Sequence, residues 1–292
     1  MKIIFACCLV SMFSPVSLLA QDDLLSLLGN DKKEKEIVVN AFKSSRVING
    51  HSIEFIGKGV MDVRILHRFG EISSGANNLW GLDQANMRFG FDFGLLRNLT
   101  IGIGRSNIGK EWDGFIKMKP VSQVKGIHAF PFSVVLVSGM TLGSAPWADK
   151  TRQNYFSSRL AFYNTLIIGR KFSEKFSLQV NPVFVHRNLA PPGEDNDVYA
   201  VGAGFRFKLS KRIALVADHH YVIMGIDKSI HKNPLSVGLD IETGGHVFQL
   251  HFSNSNGMNE KAFITNTTGD WAKGEVRFGF NLSRVFTISK SK

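Results

Sequence analysis

The chain has 292 residues, a formal net charge of +11 and only two cysteines. Cys7 and Cys8 both fall in an apolar N-terminal segment that we interpret as a secretory signal, so we expect no disulfide and no thiolate metal site in the mature chain. For an exported chain we expect no nucleic-acid partner, whereas phosphate-bearing lipid headgroups suit the excess of positive charge.

The N-terminus predicts export. Lys2 gives a short basic start, residues 3–19 are apolar, and Ala20 precedes a polar stretch. This order predicts a signal peptide over residues 1–20, cleaved near Ala20, because the run is short for a membrane anchor. No later apolar run approaches the roughly 20 residues of a spanning helix.

Residues 21–56 are predicted to form a periplasmic N-terminal segment. Their alternation is mixed, and Asn49-Gly50 predicts a turn. Two alternatives follow from this pattern. The segment forms a hairpin in the periplasm, or it enters the lumen of the domain that follows.

From residue 57 onward the chain alternates with a period of two, which predicts β-strands. In the clearest example Phe89, Phe91 and Phe93 share one side, and Arg88 and Asp92 share the other. The predicted strands are 60–69, 86–95, 99–105, 112–119, 127–142, 158–170, 176–186, 198–209, 213–223, 234–242, 246–253, and a last strand that begins near 273 and runs past 282.

The links between the strands favour a membrane barrel over a secreted, soluble β-sandwich. Short turns alternate with longer links, the strands have the roughly 9–11 residues that a tilted crossing needs, and their number is even. We therefore predict an all-β fold for residues 57–292: a closed antiparallel up-and-down transmembrane β-barrel of about twelve strands, with short periplasmic turns and long extracellular loops. Trp112 and Trp271 lie just before strands, where an interfacial aromatic girdle is expected.

In such a barrel the charged parity faces the lumen. The predicted lumen-facing residues are Asp62, Arg64, Arg68, Arg88, Asp92, Arg159, Arg206, Lys208, Asp218, His220, Asp240, Glu242 and Arg277. One interpretation is a network of paired charges that fills and rigidifies the lumen. The other is a narrow, basic pore that favours anions. The near match of opposite charges favours the first.

The pair His219-His220 beside Asp218 raises the alternative of a lipid-modifying hydrolase. Adjacent strand residues point to opposite faces, so only one of these histidines shares the side of Asp218. The other histidines show no ligand spacing, and we predict no metal site, no cofactor and no catalytic residue. A further alternative is a surface binding or assembly module that acts through the long links around Trp80 and Trp147.

Four stretches resemble one family of Bacteroidota outer-membrane β-barrel proteins, catalogued only as a domain of unknown function. They are 42–52 (FKSSRVINGHS), 67–70 (HRFG), 80–83 (WGLD) and 102–106 (GIGRS). The resemblance covers most of the mature chain and implies a barrel in the outer membrane of a Gram-negative bacterium. It implies no activity and no catalytic residues.

Together these features predict a monomeric outer-membrane β-barrel of unknown specific activity, passive in chemistry. It would serve as a narrow, porin-like pore or as a structural or binding component. Its expected partners are outer-membrane lipid and lipopolysaccharide, whose phosphate groups suit the positive charge of the chain.

Overall fold

The structure of the protein is a computed structural model, which describes residues 34–244 and 246–289. The predicted signal peptide and the first part of the predicted periplasmic segment lie outside the described residues.

Twelve antiparallel strands form a closed barrel in the described part of the chain. Each strand pairs with the next along the chain, and the last pairs with the first, which closes the sheet. The prediction of a closed barrel with twelve strands is confirmed. The strands are β1 (Val60–Glu71), β2 (Ala85–Leu96), β3 (Leu99–Ser106), β4 (Glu111–Val121), β5 (Ser133–Gly143), β6 (Leu160–Lys171), β7 (Phe176–Arg187), β8 (Asp197–Lys208), β9 (Ile213–Met224), β10 (Leu235–Thr243), β11 (His246–Ser253) and β12 (Arg277–Thr287).

The alternation along each strand is inverted relative to a soluble sandwich. On β2 the side chains of Arg88 and Asp92 are buried inside the barrel, while Phe89 and Phe91 are 43% and 40% exposed on its outer face. Charged side chains inside and aromatic side chains outside fit a barrel surrounded by lipid, because lipid solvates the apolar face and the lumen encloses the polar one.

The links define two ends of the barrel. The short-turn end carries links 97–98, 172–175, 209–212 and 244–245, and the long-link end carries links 72–84, 144–159, 188–196, 225–234 and 254–276. The predicted alternation is wrong at two links, since link 107–110 at the long-link end is short and link 122–132 at the short-turn end is long.

Link 122–132 is long because β5 begins at Ser133 and not at residue 127 as predicted. Pro131 has no N–H to give to a ladder. The residues before it fold back instead, with a bridge between Val124 and Phe130. Val124–Lys125 also pairs with Glu36–Ile37 outside the barrel.

The core of the protein lies in the lumen. Buried apolar side chains from the wall, such as Tyr163 and Val185, meet Phe42 and Ile48 from the N-terminal segment. They also meet Phe263 of a short helix, α1 (Glu260–Thr265), which belongs to link 254–276. Among the described residues no helix has the length and apolar character to cross a membrane.

Candidate functional site: the filled lumen

Residues 41–56, called the plug below, lie inside the barrel. Residues 44–53 are all buried, and they form a hairpin in which Val47 N–H donates to Gly50 O at 2.9 Å and Ser52 N–H donates to Ser45 O at 3.0 Å. The turn falls at Asn49-Gly50, where the sequence predicts it. The hairpin pairs its own backbone at these points, so its remaining N–H and C=O groups need partners from the barrel wall.

The wall supplies those partners from several strands. Asp218 Oδ2 on β9 accepts from the N–H groups of Asn49 at 2.8 Å and Gly50 at 3.0 Å. On β7, Gln179 accepts from Ile53 N–H at 3.1 Å and donates to His51 O at 2.7 Å. Polar side chains of the wall therefore supply hydrogen-bond partners to the backbone of the plug.

Basic side chains also reach the plug from the wall. Arg64 of β1 donates to Ser44 Oγ at 2.8 Å, and Arg68 of the same strand donates to Asn49 Oδ1 at 2.7 Å. Lys117 of β4 donates to Ser45 O at 3.0 Å and to Glu54 O at 2.6 Å. These cations bind carbonyl, amide and hydroxyl oxygens of the plug and do not line an open channel.

Other lumen charges pair with each other across the wall. Arg88 Nε lies 2.8 Å from Asp113 Oδ1, and a second bond joins the same two side chains, which are both fully buried. Arg64 lies 3.3 Å from Asp62. Across the described residues the buried side chains include seven basic residues (Arg46, Arg64, Arg68, Arg88, Lys117, Arg187, Arg206) and seven acidic ones (Asp62, Asp92, Glu111, Asp113, Asp218, Asp240, Glu260). The interior is thus balanced in charge.

Helix α1 enters the lumen from the long-link end and meets the plug. Asn259 caps it by accepting from Ala262 N–H at 2.8 Å. Glu260 lies 3.0 Å from Arg46 and 3.3 Å from His51, and all three side chains are buried. The ring of Phe263 packs on His220 with the ring centroids 5.0 Å apart. Plug and helix therefore touch in the middle of the lumen.

A cavity lies on the other side of the plug. It has a volume of about 520 Å³ and lies at the short-turn end between the plug and strands β1, β10, β11 and β12. Lys43 and Glu242 form an ion pair of 3.2 Å at this cavity. It is a vestibule that ends at the plug.

The structure buries eight of the predicted lumen-facing residues inside the barrel: Asp62, Arg64, Arg68, Arg88, Asp92, Arg206, Asp218 and Asp240. His220 is buried there as well. Glu242 and Lys208 are partly exposed at the short-turn end, and Arg277 is partly exposed at the long-link end, where it pairs with Glu71.

One of the predicted lumen-facing residues, Arg159, lies outside the strands. This residue precedes β6, and its guanidinium donates to Gly143 O at 2.8 Å and stacks over Trp147 at 4.1 Å. It belongs to link 144–159 because β6 begins only at Leu160.

The two predicted interfacial tryptophans both lie at the long-link end. Trp112 is the second residue of β4 and is 43% exposed. Trp271 is 38% exposed in a turn before β12, and its indole N–H donates to Leu235 O at 3.1 Å.

Two further lumen residues, Asp113 and Lys117, are not among those predicted from the sequence, and they bind Arg88 and the plug. Their signal is present in β4, where Asp113, Phe115 and Lys117 share one parity opposite Trp112 and Ile116. The same parity rule that identifies Arg88 and Asp92 would have found them.

The arrangement gives no support to a hydrolase centred on Asp218. His220 shares its side of β9, while His219 faces outward and lies 3.0 Å from Pro234 O. The carboxylate of Asp218 is engaged by the plug backbone. No group of three or more histidine, cysteine or acidic side chains suited to a metal ion occurs in residues 34–244 and 246–289.

The sequence places the chain in a family. A family described as a membrane-bound β-barrel domain (DUF5777) matches residues 42–286. The protein belongs to this family. The match begins at Phe42, inside the plug, so the plug is part of the family domain and not an addition to it. No curated protein matches the chain in sequence.

Solved structures of similar shape include two porins. The NanC porin has a TM-score of 0.48 and 8% identity over 78% of this chain and 98% of its own. The KdgM porin has a TM-score of 0.46 and 9% identity over 78% of this chain and 99% of its own. OmpF of Salmonella typhi, solved with daunomycin, has a TM-score of 0.37 and 6% identity over 78% of this chain and 97% of its own.

Proposed function

We propose that this protein is a β-barrel of the outer membrane of a Gram-negative bacterium of the Bacteroidota, exported by a signal peptide cleaved near Ala20. In the conformation described here it is a closed structural or binding component and not an open pore, and it has no enzymatic activity. The observation that carries this proposal is the 3.0 Å contact between Arg46 of the plug and Glu260 of α1, two elements that enter the lumen from opposite ends.

The charges of the lumen support a sealed interior. A selective pore needs ligands that a passing ion can use in place of its hydration shell. Here Arg64, Arg68 and Lys117 already bind plug oxygens. Equal numbers of buried basic and acidic residues also leave no excess of positive charge to favour anions.

A second candidate function is a gated narrow pore, and the polar character of the plug contacts favours it. Asn49 is held at both its backbone and its side chain by hydrogen bonds, including one from its amide nitrogen to Ser236 Oγ at 2.8 Å. Water can replace such bonds more readily than it can replace apolar packing, since water offers donors and acceptors of its own. The vestibule beside the plug gives water access from one end.

Single-channel recording in planar bilayers separates the two candidates. We expect the mature chain to show no conductance above background. A double variant, Arg46→Ala with Asp218→Ala, removes the ion pair between Arg46 and Glu260 and the two hydrogen bonds that Asp218 accepts from the hairpin. Brief openings are expected from it only if the plug is a gate. The matched control is Glu174→Ala, which changes an exposed carboxylate that pairs with Lys171 at the short-turn end.

Sustained conductance from the unaltered chain would refute the closed barrel. If the double variant remains folded and shows no conductance, the gated pore is refuted. Turnover of phospholipid by the purified protein, lost in His220→Ala, would overturn the absence of enzymatic activity.

A further inference from the structure

The outer face of the barrel carries a furrow near the long-link end that the closed lumen does not explain. It has a volume of about 420 Å³ and runs over β2, β3 and β4. Its floor includes Phe89, Phe91 and Ile103, and Arg105 and Trp112 lie at its head. This volume falls within the range of about 300–1,000 Å³ that is usual for small-molecule sites.

The strand register arranges the furrow by polarity. Arg105 is directly opposite Phe89 on one side and Trp112 on the other, and Phe91 is opposite Ile103. Arg105 is the next-to-last residue of β3 and Trp112 is the second residue of β4, so both lie at the rim. The furrow is therefore cationic at the rim and apolar toward the middle of the membrane.

Arg105 has no ion-pair partner among the residues that the structure describes. Its guanidinium lies over the ring of Trp112, 5.2 Å from the centroid. Within residues 34–244 and 246–289 no carboxylate lies within ion-pair distance of it and no hydrogen bond engages it. The indole N–H of Trp112 likewise has no acceptor in the described part of the chain.

A guanidinium beside an indole N–H at a membrane rim suits a phosphate. Arginine presents its N–H groups in a planar fork that matches phosphate oxygens, and the bond is strengthened because both partners are charged. On the lipid face an arginine costs about 2–4 kcal/mol at the midplane but only about 0–1 kcal/mol near the interface, where headgroups reach it. The apolar floor below requires an occupant with a hydrocarbon tail.

We propose that this furrow binds one phosphorylated membrane lipid from the leaflet at the long-link end. The phosphate binds Arg105 and Trp112, and one acyl chain lies along Phe89, Phe91 and Ile103. The site is on the outer face, so it requires only that lipid surrounds the barrel and is independent of whether the plug opens.

Native mass spectrometry of the purified mature chain in a non-ionic detergent tests this site with three probes. Phosphatidylglycerol carries both phosphate and acyl chains, diacylglycerol lacks the phosphate, and inorganic phosphate lacks the chains. We expect a one-to-one adduct with phosphatidylglycerol alone. Arg105→Gln should weaken it by about tenfold, as expected for the loss of a hydrogen bond between charged groups.

Arg284→Gln is the matched control, because Arg284 also stacks on an aromatic ring, Phe286 at 4.9 Å, but lies near the opposite end of the barrel. Trp112→Phe is a second variant, which keeps the ring and removes the N–H, and it should bind more weakly than the unaltered chain. Heat-modifiable mobility on gels confirms that each variant is folded.

Three results would overturn the proposal. They are equal binding by the unaltered chain and Arg105→Gln, an equal loss in Arg284→Gln, and an adduct of similar strength with diacylglycerol or inorganic phosphate. None of these results affects the outcome of the conductance experiment. The proposal of a lipid site and the proposal of a closed lumen can therefore be refuted independently.

Discussion

Replacing Asp218 by asparagine should loosen the plug without disturbing the barrel wall. Asp218 Oδ2 accepts from Asn49 N–H at 2.8 Å and from Gly50 N–H at 3.0 Å. A hydrogen bond to a charged group contributes about 1.5–3 kcal/mol and one between neutral groups about 0.5–1.5 kcal/mol, so each of the two bonds should lose about 1–1.5 kcal/mol. The total of about 2–3 kcal/mol corresponds to a plug that opens roughly 30 to 150 times more often.

Hydrogen exchange measures this opening directly. Amide protons of residues 45–52 exchange only when the hairpin leaves its partners, so their protection should fall by the same factor in Asp218→Asn. Peptides from strands such as β6 should keep their protection. The matched control is Asp113→Asn, because Asp113 accepts two hydrogen bonds from Arg88 of the wall and binds no plug residue among those described.

Two results would refute this reasoning. If residues 45–52 kept their protection in Asp218→Asn, the two bonds would not hold the plug. If residues 45–52 lost protection to the same extent in Asp113→Asn, the effect would reflect the charge of the lumen as a whole and not the contact with Asn49 and Gly50.

Three further predictions concern the wall, the lipid face and the inward helix. Arg88→Ala should lower the free energy of unfolding in vesicles by about 3–5 kcal/mol, because it leaves Asp113 buried without a partner. The double variant Arg88→Ala with Asp113→Ala should lose less, and a loss equal to the sum of the two single variants would contradict this. Val201 lies in the middle of the lipid face of β8, and Val201→Arg should lower the free energy of unfolding by about 2–4 kcal/mol in the same assay. Val201→Leu should change it little. Equal effects of the two substitutions would indicate that this face meets water. Glu260→Gln should speed tryptic cleavage after Lys261, because it breaks the ion pair with Arg46. The control Glu174→Gln should leave the cleavage rate unchanged. An unaltered rate in Glu260→Gln would show that α1 stays in the lumen without this pair.

The parity of the strands was readable from the sequence because it is a local property. Phe89 and Phe91 alternate with Arg88 and Asp92 within a few residues, and an inverted alternation in strand after strand allows few other folds. The predicted strands that begin at 127 and 158 begin in the structure at Ser133 and Leu160, because a period of two does not mark where pairing begins. Pro131 in the sequence already argues against a strand that begins at residue 127, because proline has no N–H to donate to a β-ladder.

The sequence by itself determined which side chains share a face and that the sheet closes in lipid. It did not determine what fills the lumen, because those contacts join residues that are far apart in the chain. The bond from Asn49 N–H to Asp218 spans 169 positions, and the ion pair of Arg46 with Glu260 spans 214. Only the tertiary structure brings the plug and helix α1 together. Closure of the barrel places strands β1 and β9, which both bind the hairpin, around the same lumen.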